Sequence, residues 1–252
     1  MRTTIPDYII QRVRQPIPIN SGVVPGSNPV LSFGNAQRAI IATLGLNPSV
    51  REFLDKNGKE LTGPSRRLAT CQSLGVKILS IASEDAVRQV VEECNDYFQR
   101  EPYQWFNQLQ NFILKELDAS YYDYSACHLD LVQWATNPTW GSLPSNTRKQ
   151  LLKADCPFLL EQLRNEKIKL LLVNGTGVFV HLQKLTAMKI HEESPISVRA
   201  KKTRLFVGTL FDHVGVVSWS INLQSSHGVT NDMRSVIANR VAEIVRSERF
   251  LI

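Results

Sequence analysis

Short apolar runs alternate with polar, turn-rich segments along the chain, and this pattern predicts an α/β protein. Five runs are apolar enough for buried strands: 39–45, 129–134, 168–173, 205–211 and 214–219. The last two read as an antiparallel pair around Asp212 and His213. Helical spacing follows Ser83, continues through 105–117 and returns after Thr230. We therefore predict a three-layer α/β/α fold with a central, mostly parallel sheet of about four or five strands.

The positions of proline and glycine along the chain predict its domain organisation. Pro and Gly recur through 16–35, so we expect residues 1–35 to form an irregular N-terminal arm laid over the surface. Residues 36–252 then form a single α/β domain, with a helical insertion around 61–117. No internal repeat or low-complexity tract interrupts it.

Polar turns follow the predicted strands. In open α/β sheets, ligands bind beyond the carboxyl ends of the strands. Here those ends carry Asn47, the segment from Asp130 to Asn137, Asn174 and the segment from Asn222. We expect the four turns to converge on one edge of the sheet and to form the functional site.

Composition narrows the class of partner and compartment. The 252 residues carry 29 Lys and Arg against 23 Asp and Glu, a net charge of +6, which favours a polyanionic partner. Basic residues cluster at 198–204 and at 66–67, although a solvated basic face is the usual explanation for such runs. No apolar run approaches the ~18–20 residues of a membrane span, and the start lacks a signal-peptide core. Four scattered cysteines indicate buried thiols, so we expect a cytoplasmic protein.

Several chemistries have no motif here. The chain contains no phosphate-binding Gly-x-x-x-x-Gly-Lys loop, no Gly-x-Ser-x-Gly elbow, no His-Glu-x-x-His and no Cys-x-x-Cys. We therefore expect neither a metal nor another cofactor.

Four short segments resemble one enzyme family. Leu-Gly-Leu-Asn-Pro-Ser at 44–49 resembles the Gly-Ile-Asn-Pro-Gly turn of the mismatch-specific and thymine branch of the uracil-DNA glycosylase superfamily. The segments 128–136, 169–175 and 220–229 follow in the order of that family's later strands and its His/Asn-Pro-Ser loop. The resemblance covers about residues 36–248 and implies a uracil-DNA glycosylase-like fold.

The resemblance also implies roles for individual residues. Asn47 would position the attacking water, with Asn222 and His227 as further catalytic residues. The base would lie against Leu46, Phe53 and Asp130. DNA contacts would come from Ser49, Asn174, Gly175, Ser225 and Ser226, and the basic cluster at 198–204 adds Arg199, Lys201 and Lys202 as phosphate contacts.

The residues leave alternatives open. Asn47 and Pro48 also suit a plain strand-to-loop turn, Phe53 suits the core, and the loop from Asn222, in which Leu223 replaces the family's Pro, suits helix capping. An amide at position 47 is not a strong base, so a carboxylate from Glu52 or Asp55 could assist it.

Asp130 stands where the family commonly has a base-reading Asn. A carboxylate only accepts hydrogen bonds, so it would oppose the O4 carbonyl of uracil and suit the exocyclic amine of cytosine. We therefore expect a cytosine-type base, with capping or pairing to an Arg as the alternative role of Asp130.

The sequence thus predicts a monofunctional DNA glycosylase that acts on DNA as a monomer and leaves an abasic site. The base is a modified cytosine, as in viral DNA that a defence enzyme would attack. Repair of uracil or mismatched thymine is one alternative, a catalytically silent module that senses altered bases is another, and a nucleoside hydrolase is a third.

Overall fold

The computed structural model describes residues 4–100, 102–186, 188–198, 201–225 and 228–251. The α-helices of these residues are α1 (Asp7–Arg14), α2 (Glu84–Asn95), α3 (Ser145–Asn165), α4 (Thr176–Leu185) and α5 (Asn231–Ser247). The strands are β1 (Ile41–Gly45), β2 (Ala126–Asp130), β3 (Leu170–Asn174), β4 (Lys189–Glu192), β5 (Ile196–Val198), β6 (Lys201–Thr203), β7 (Leu205–Leu210) and β8 (Val214–Trp219).

Six strands form the central sheet, in the order β2-β1-β3-β8-β7-β4. β3 lies between β1 and β8 and runs parallel to both, whereas β7 pairs antiparallel with β8 and with β4. Helix α4 packs on β3, and α5 packs on β8. The predicted three-layer α/β class and the antiparallel pair are confirmed, with six strands where four or five were expected.

Local signals explain the best-predicted elements. All five residues of β3 are buried, as its continuous apolar run requires for a strand covered on both faces. The Ser83 hydroxyl accepts a hydrogen bond from the Ala86 N–H at the start of α2, and Thr230 accepts one from the Met233 N–H at the start of α5. Both predicted helix starts are confirmed.

The chain divides into two compact units, each described here by itself. The first comprises 1–34, 47–103 and 130–162, and the second comprises 35–46, 104–129 and 163–252. The second unit contains the sheet up to residue 129 of β2. Among the described residues, no helix has the length and apolar character needed to cross a membrane.

Three predicted elements differ in the structure. The strand expected at 129–134 begins earlier and ends at Asp130, because the backbone beyond it bonds to the N-terminal arm instead. The arm itself is not wholly irregular, since it contains α1. The helix expected through 105–117 is a series of 3₁₀ turns around a π-helix at Leu109–Leu114.

Candidate functional site

Asn47 begins the turn after β1, and its side-chain amide is held in one orientation. Its Nδ2 donates to the carbonyl oxygens of Pro48 (3.1 Å) and Trp134 (3.3 Å) and to Thr136 Oγ1 (3.3 Å). Three acceptors around one atom identify that atom as the nitrogen, since an amide oxygen would be repelled there. Asn47 is half-buried, and no described residue donates to its Oδ1. The turn therefore presents a fixed hydrogen-bond acceptor.

The segment that carries Trp134 and Thr136 is held by a buried ion pair. Arg12 of α1 lies 3.0 Å from Asp155 of α3, and both side chains are almost fully buried. Asp155 accepts the Gln133 N–H (2.9 Å), while Arg12 Nε donates to Gln133 Oε1 (3.1 Å). Burial raises the pKa of Asp155 to about 6, although the Arg12 charge opposes that shift. The ion pair thus fixes the backbone to which Asn47 bonds.

The N-terminal arm adds further bonds to the same segment. Val30 N–H donates to the Gln133 carbonyl (2.7 Å), and Val24 N–H donates to the Ala135 carbonyl (3.0 Å). The arm therefore lies along 133–135 like an added strand. Proline and glycine spacing predicted an arm, but it gave no sign of which segment the arm would cover.

Glu52 is a buried carboxyl group whose environment raises its pKa. It lies in the single 3₁₀ turn after Asn47, is 2% exposed, and accepts a hydrogen bond from the Tyr97 hydroxyl (2.7 Å). Burial raises the pKa of Glu52 to about 7; the Tyr97 bond and the Arg67 charge oppose that shift, and the Asp130 charge adds to it. A carboxyl group with this pKa can hold or release a proton near neutral pH.

Asp55, the other candidate carboxylate, serves the turn itself. Its Oδ1 accepts the backbone N–H groups of Asn57 and Lys59, both at 2.8 Å. The bond from Lys59 is the main reason that the pKa of Asp55 is lowered. The structure therefore separates two carboxylates that the sequence could not distinguish.

The three residues expected to contact the base occupy different environments. Asp130 ends β2, is 6% exposed and lies close enough to Glu52 for the two charges to interact. Phe53 is 2% exposed, which favours its alternative role in the core. Leu46 is half-buried and belongs to the second unit.

Every hydrogen-bonding position of the Asn174 side chain is used within the protein. Its Nδ2 donates to Asn222 Oδ1 (2.9 Å) and Gln224 Oε1 (2.8 Å). Its Oδ1 accepts from Trp219 Nε1 (2.8 Å) and from the Leu223 N–H (2.9 Å). Asn174 is 4% exposed. Asn174 thus shapes the loop that follows β8, and its contact with DNA stays a prediction.

The backbone of Gly175 is also hydrogen-bonded within the protein. It is buried, its N–H donates to the Trp219 carbonyl (3.0 Å), and its own carbonyl accepts the Phe179 N–H (3.2 Å). Its φ of +96° lies in a region that residues with a side chain rarely adopt, which explains why glycine stands here. The DNA contact of Gly175 stays a prediction as well.

Asn222 is exposed, but its oxygen is occupied. Oδ1 accepts from Asn174 and from the Gln224 N–H (3.0 Å), so only Nδ2 has no partner among the described residues. In this conformation Asn222 can donate a hydrogen bond to a ligand more readily than accept one. Its catalytic role stays a prediction.

Arg234, which the sequence did not single out, clamps the same loop. From α5 it donates to the carbonyl oxygens of Leu223 (2.9 Å) and Ser225 (3.0 Å) and to Asn231 Oδ1 (2.9 Å). Burial lowers its pKa. An arginine inside a helical pattern reads as a solvated residue, so no sequence signal distinguishes it.

The remaining predicted contacts have varied positions. Ser49 accepts the Arg51 N–H as the cap of a 3₁₀ turn, Ser225 is half-buried, and Lys201 and Lys202 are exposed on β6. Lys201 Nζ donates to the Gly228 carbonyl at the end of the loop. The three other candidates, Arg199, Ser226 and His227, lie outside the described residues.

The described residues contain no group of three or more His, Cys, Asp and Glu side chains that could hold a metal ion. In comparisons with known proteins, no family model matches the chain and no curated protein matches it. The glycosylase resemblance therefore rests on the residues quoted above.

Proposed function

We propose that the protein is a monofunctional DNA glycosylase that hydrolyses the N-glycosidic bond of a flipped-out base. The observation that carries this proposal is the Asn47 amide, whose nitrogen is tied to three acceptors so that its oxygen is presented in one orientation. An acceptor fixed in this way can orient a water molecule for attack without reorganising during the reaction.

The proposed reaction needs one water molecule. The water oxygen bonds to C1′ of the sugar while the bond from C1′ to the base nitrogen breaks, and the electron pair of that bond leaves with the base. A proton lost from the water passes to Glu52, whose pKa of about 7 suits it to accept a proton near neutral pH. The base anion takes up a proton from solvent and Glu52 returns its proton to solvent, so the products are the neutral base and an abasic site, with the DNA strand intact.

The proposed base is a cytosine, in particular a modified one. Asp130 supports this choice because an ionised carboxylate accepts a hydrogen bond from an exocyclic amine and repels a carbonyl oxygen. Modified cytosines in viral DNA would make the enzyme a defence factor, whereas activity on uracil or mismatched thymine would indicate repair.

The test is base release from a panel of DNA duplexes that carry uracil, a G·T mismatch, cytosine, hydroxymethylcytosine or glucosylated hydroxymethylcytosine. Alkaline cleavage reveals the abasic product. Asn47→Ala should abolish release, while Asn57→Ala is the matched control, since Asn57 is an exposed asparagine in the neighbouring turn. We expect release of a cytosine-type base by the native protein and the control.

Each other outcome points to a different function. Release of uracil or thymine alone would favour repair, and binding without release of any base would favour a sensing module. Release from free nucleosides, independent of salt, would favour a nucleoside hydrolase. Equal release by Asn47→Ala would refute the role of the Asn47 turn.

A further inference from the structure

Trp105 is an exposed tryptophan in the second unit. Its side chain is 44% exposed, whereas Trp134 and Trp219 are fully buried. Exposing part of the largest apolar side chain forgoes stabilisation that burial would supply. Single exposed aromatic residues are common, so exposure alone does not indicate a binding role. The position of Trp105 supplies the further argument.

The backbone of Trp105 is fixed from two sides. The next residue, Phe106, is 4% exposed and packs edge-to-face against the rings of His128 and Tyr121, with centroids 5.1 and 6.0 Å away. The Trp105 carbonyl accepts a hydrogen bond from Gln224 Nε2 (2.9 Å). An aromatic residue on a fixed backbone loses little conformational entropy when it binds a ligand.

Gln224 connects Trp105 to the loop that follows β8. The other end of the Gln224 amide, Oε1, accepts a hydrogen bond from Asn174, which also holds Asn222. The buried Asn174 therefore holds the loop directly and, through Gln224, the backbone of Trp105. The exposed Asn222 amide and the backbone that carries the exposed indole belong to one hydrogen-bonded assembly.

We propose that Trp105 is a DNA-binding residue that stacks on an unpaired nucleobase beside the 222–225 loop. This inference rests on the proposed function, because the DNA contact that the sequence predicts for Ser225 of this loop requires a DNA substrate. Every base has a π-face on which an indole can stack, so the contact tolerates any sequence. Stacking neutralises no phosphate charge, so it should depend little on salt, unlike the phosphate contact expected of Lys202 on β6.

The experiment measures binding rather than base release. Fluorescence anisotropy follows a short fluorescein-labelled duplex that carries a tetrahydrofuran abasic-site analogue, and its single strand, between about 50 and 200 mM salt. Trp105→Ala should weaken binding by about 5- to 150-fold at every salt concentration, which is the range for one stacked base. Trp105→Phe should lose less. Lys202→Gln should instead reduce the slope of affinity against salt by about one ion.

Tyr122→Ala is the matched control, because Tyr122 is an aromatic residue of the same unit with 45% exposure. It should bind as the native protein does, and thermal unfolding should show that all four variants fold. Native-like binding by Trp105→Ala, or an equal loss in Tyr122→Ala, would overturn the inference.

Base release, measured separately, distinguishes this inference from the proposed function. Weakened binding by Trp105→Ala without release by the native protein would support the stacking contact and refute the glycosylase. Release by the native protein with native-like binding by Trp105→Ala would overturn the stacking contact alone. Absence of binding by the native protein to either probe would refute both.

Discussion

Glu52→Gln should remove a pH dependence that the native protein carries. Burial raises the pKa of Glu52 from its ordinary 4.5 to about 7 in the folded state. Between these values the folded protein binds more protons than the unfolded chain, so its stability falls as pH rises through the window. A difference of about 2.5 pKa units corresponds to about 3 kcal/mol at 1.36 kcal/mol per unit.

The substitution is nearly isosteric, and a glutamine oxygen can still accept the hydrogen bond from Tyr97. We expect the variant to gain up to about 3 kcal/mol relative to the native protein as pH rises from about 4 to about 8. Urea unfolding at a series of pH values measures this difference. The pKa of Asp155 is also raised, to about 6. Its effect on stability is the same in both proteins and therefore cancels from the difference between them.

Asp55→Asn is the control, because the contribution of Asp55 to stability changes with pH in the opposite direction. The pKa of Asp55 is lowered in the folded state, so its contribution to stability is present at higher pH and is lost as pH falls. A stability difference between native protein and Glu52→Gln that stays constant across the pH series would refute the reasoning.

Three further predictions concern the same regions. Asp130→Asn should raise base release from uracil and lower it from cytosine derivatives, and an unchanged preference in the duplex panel would argue against Asp130 as the base reader. Arg12→Ala should lower the free energy of unfolding by about 3–5 kcal/mol, because it leaves Asp155 buried without its partner; a loss below about 1 kcal/mol would contradict this. Asn174→Leu should lower the free energy of unfolding by roughly 1–3 kcal/mol for each donor that it leaves without an acceptor. Proteolysis should then cut the 222–225 loop faster. An unchanged rate of proteolysis would show that Asn174 does not hold the loop.

The candidate site was predicted in part. The position of Asn47 after β1 follows from an apolar run that ends in a turn, and the structure places it there. The same reasoning assigned Asn174 and Gly175 to DNA, although both are buried and bonded within the protein. A polar residue at a strand end looks the same in sequence whether its partners are protein atoms or a ligand.

Local patterns in the sequence determine the α/β class, the buried strands β1 and β3, the β7–β8 pair and the capped starts of α2 and α5. These features depend on residues within one element, which is why periodicity and capping reveal them. Tertiary structure alone decides that Glu52 rather than Asp55 has a raised pKa, because that shift comes from desolvation by distant segments. It also joins Arg12 to Gln133 across 121 positions of the chain. Spacing along a sequence carries no record of such contacts, since they form only when the chain folds.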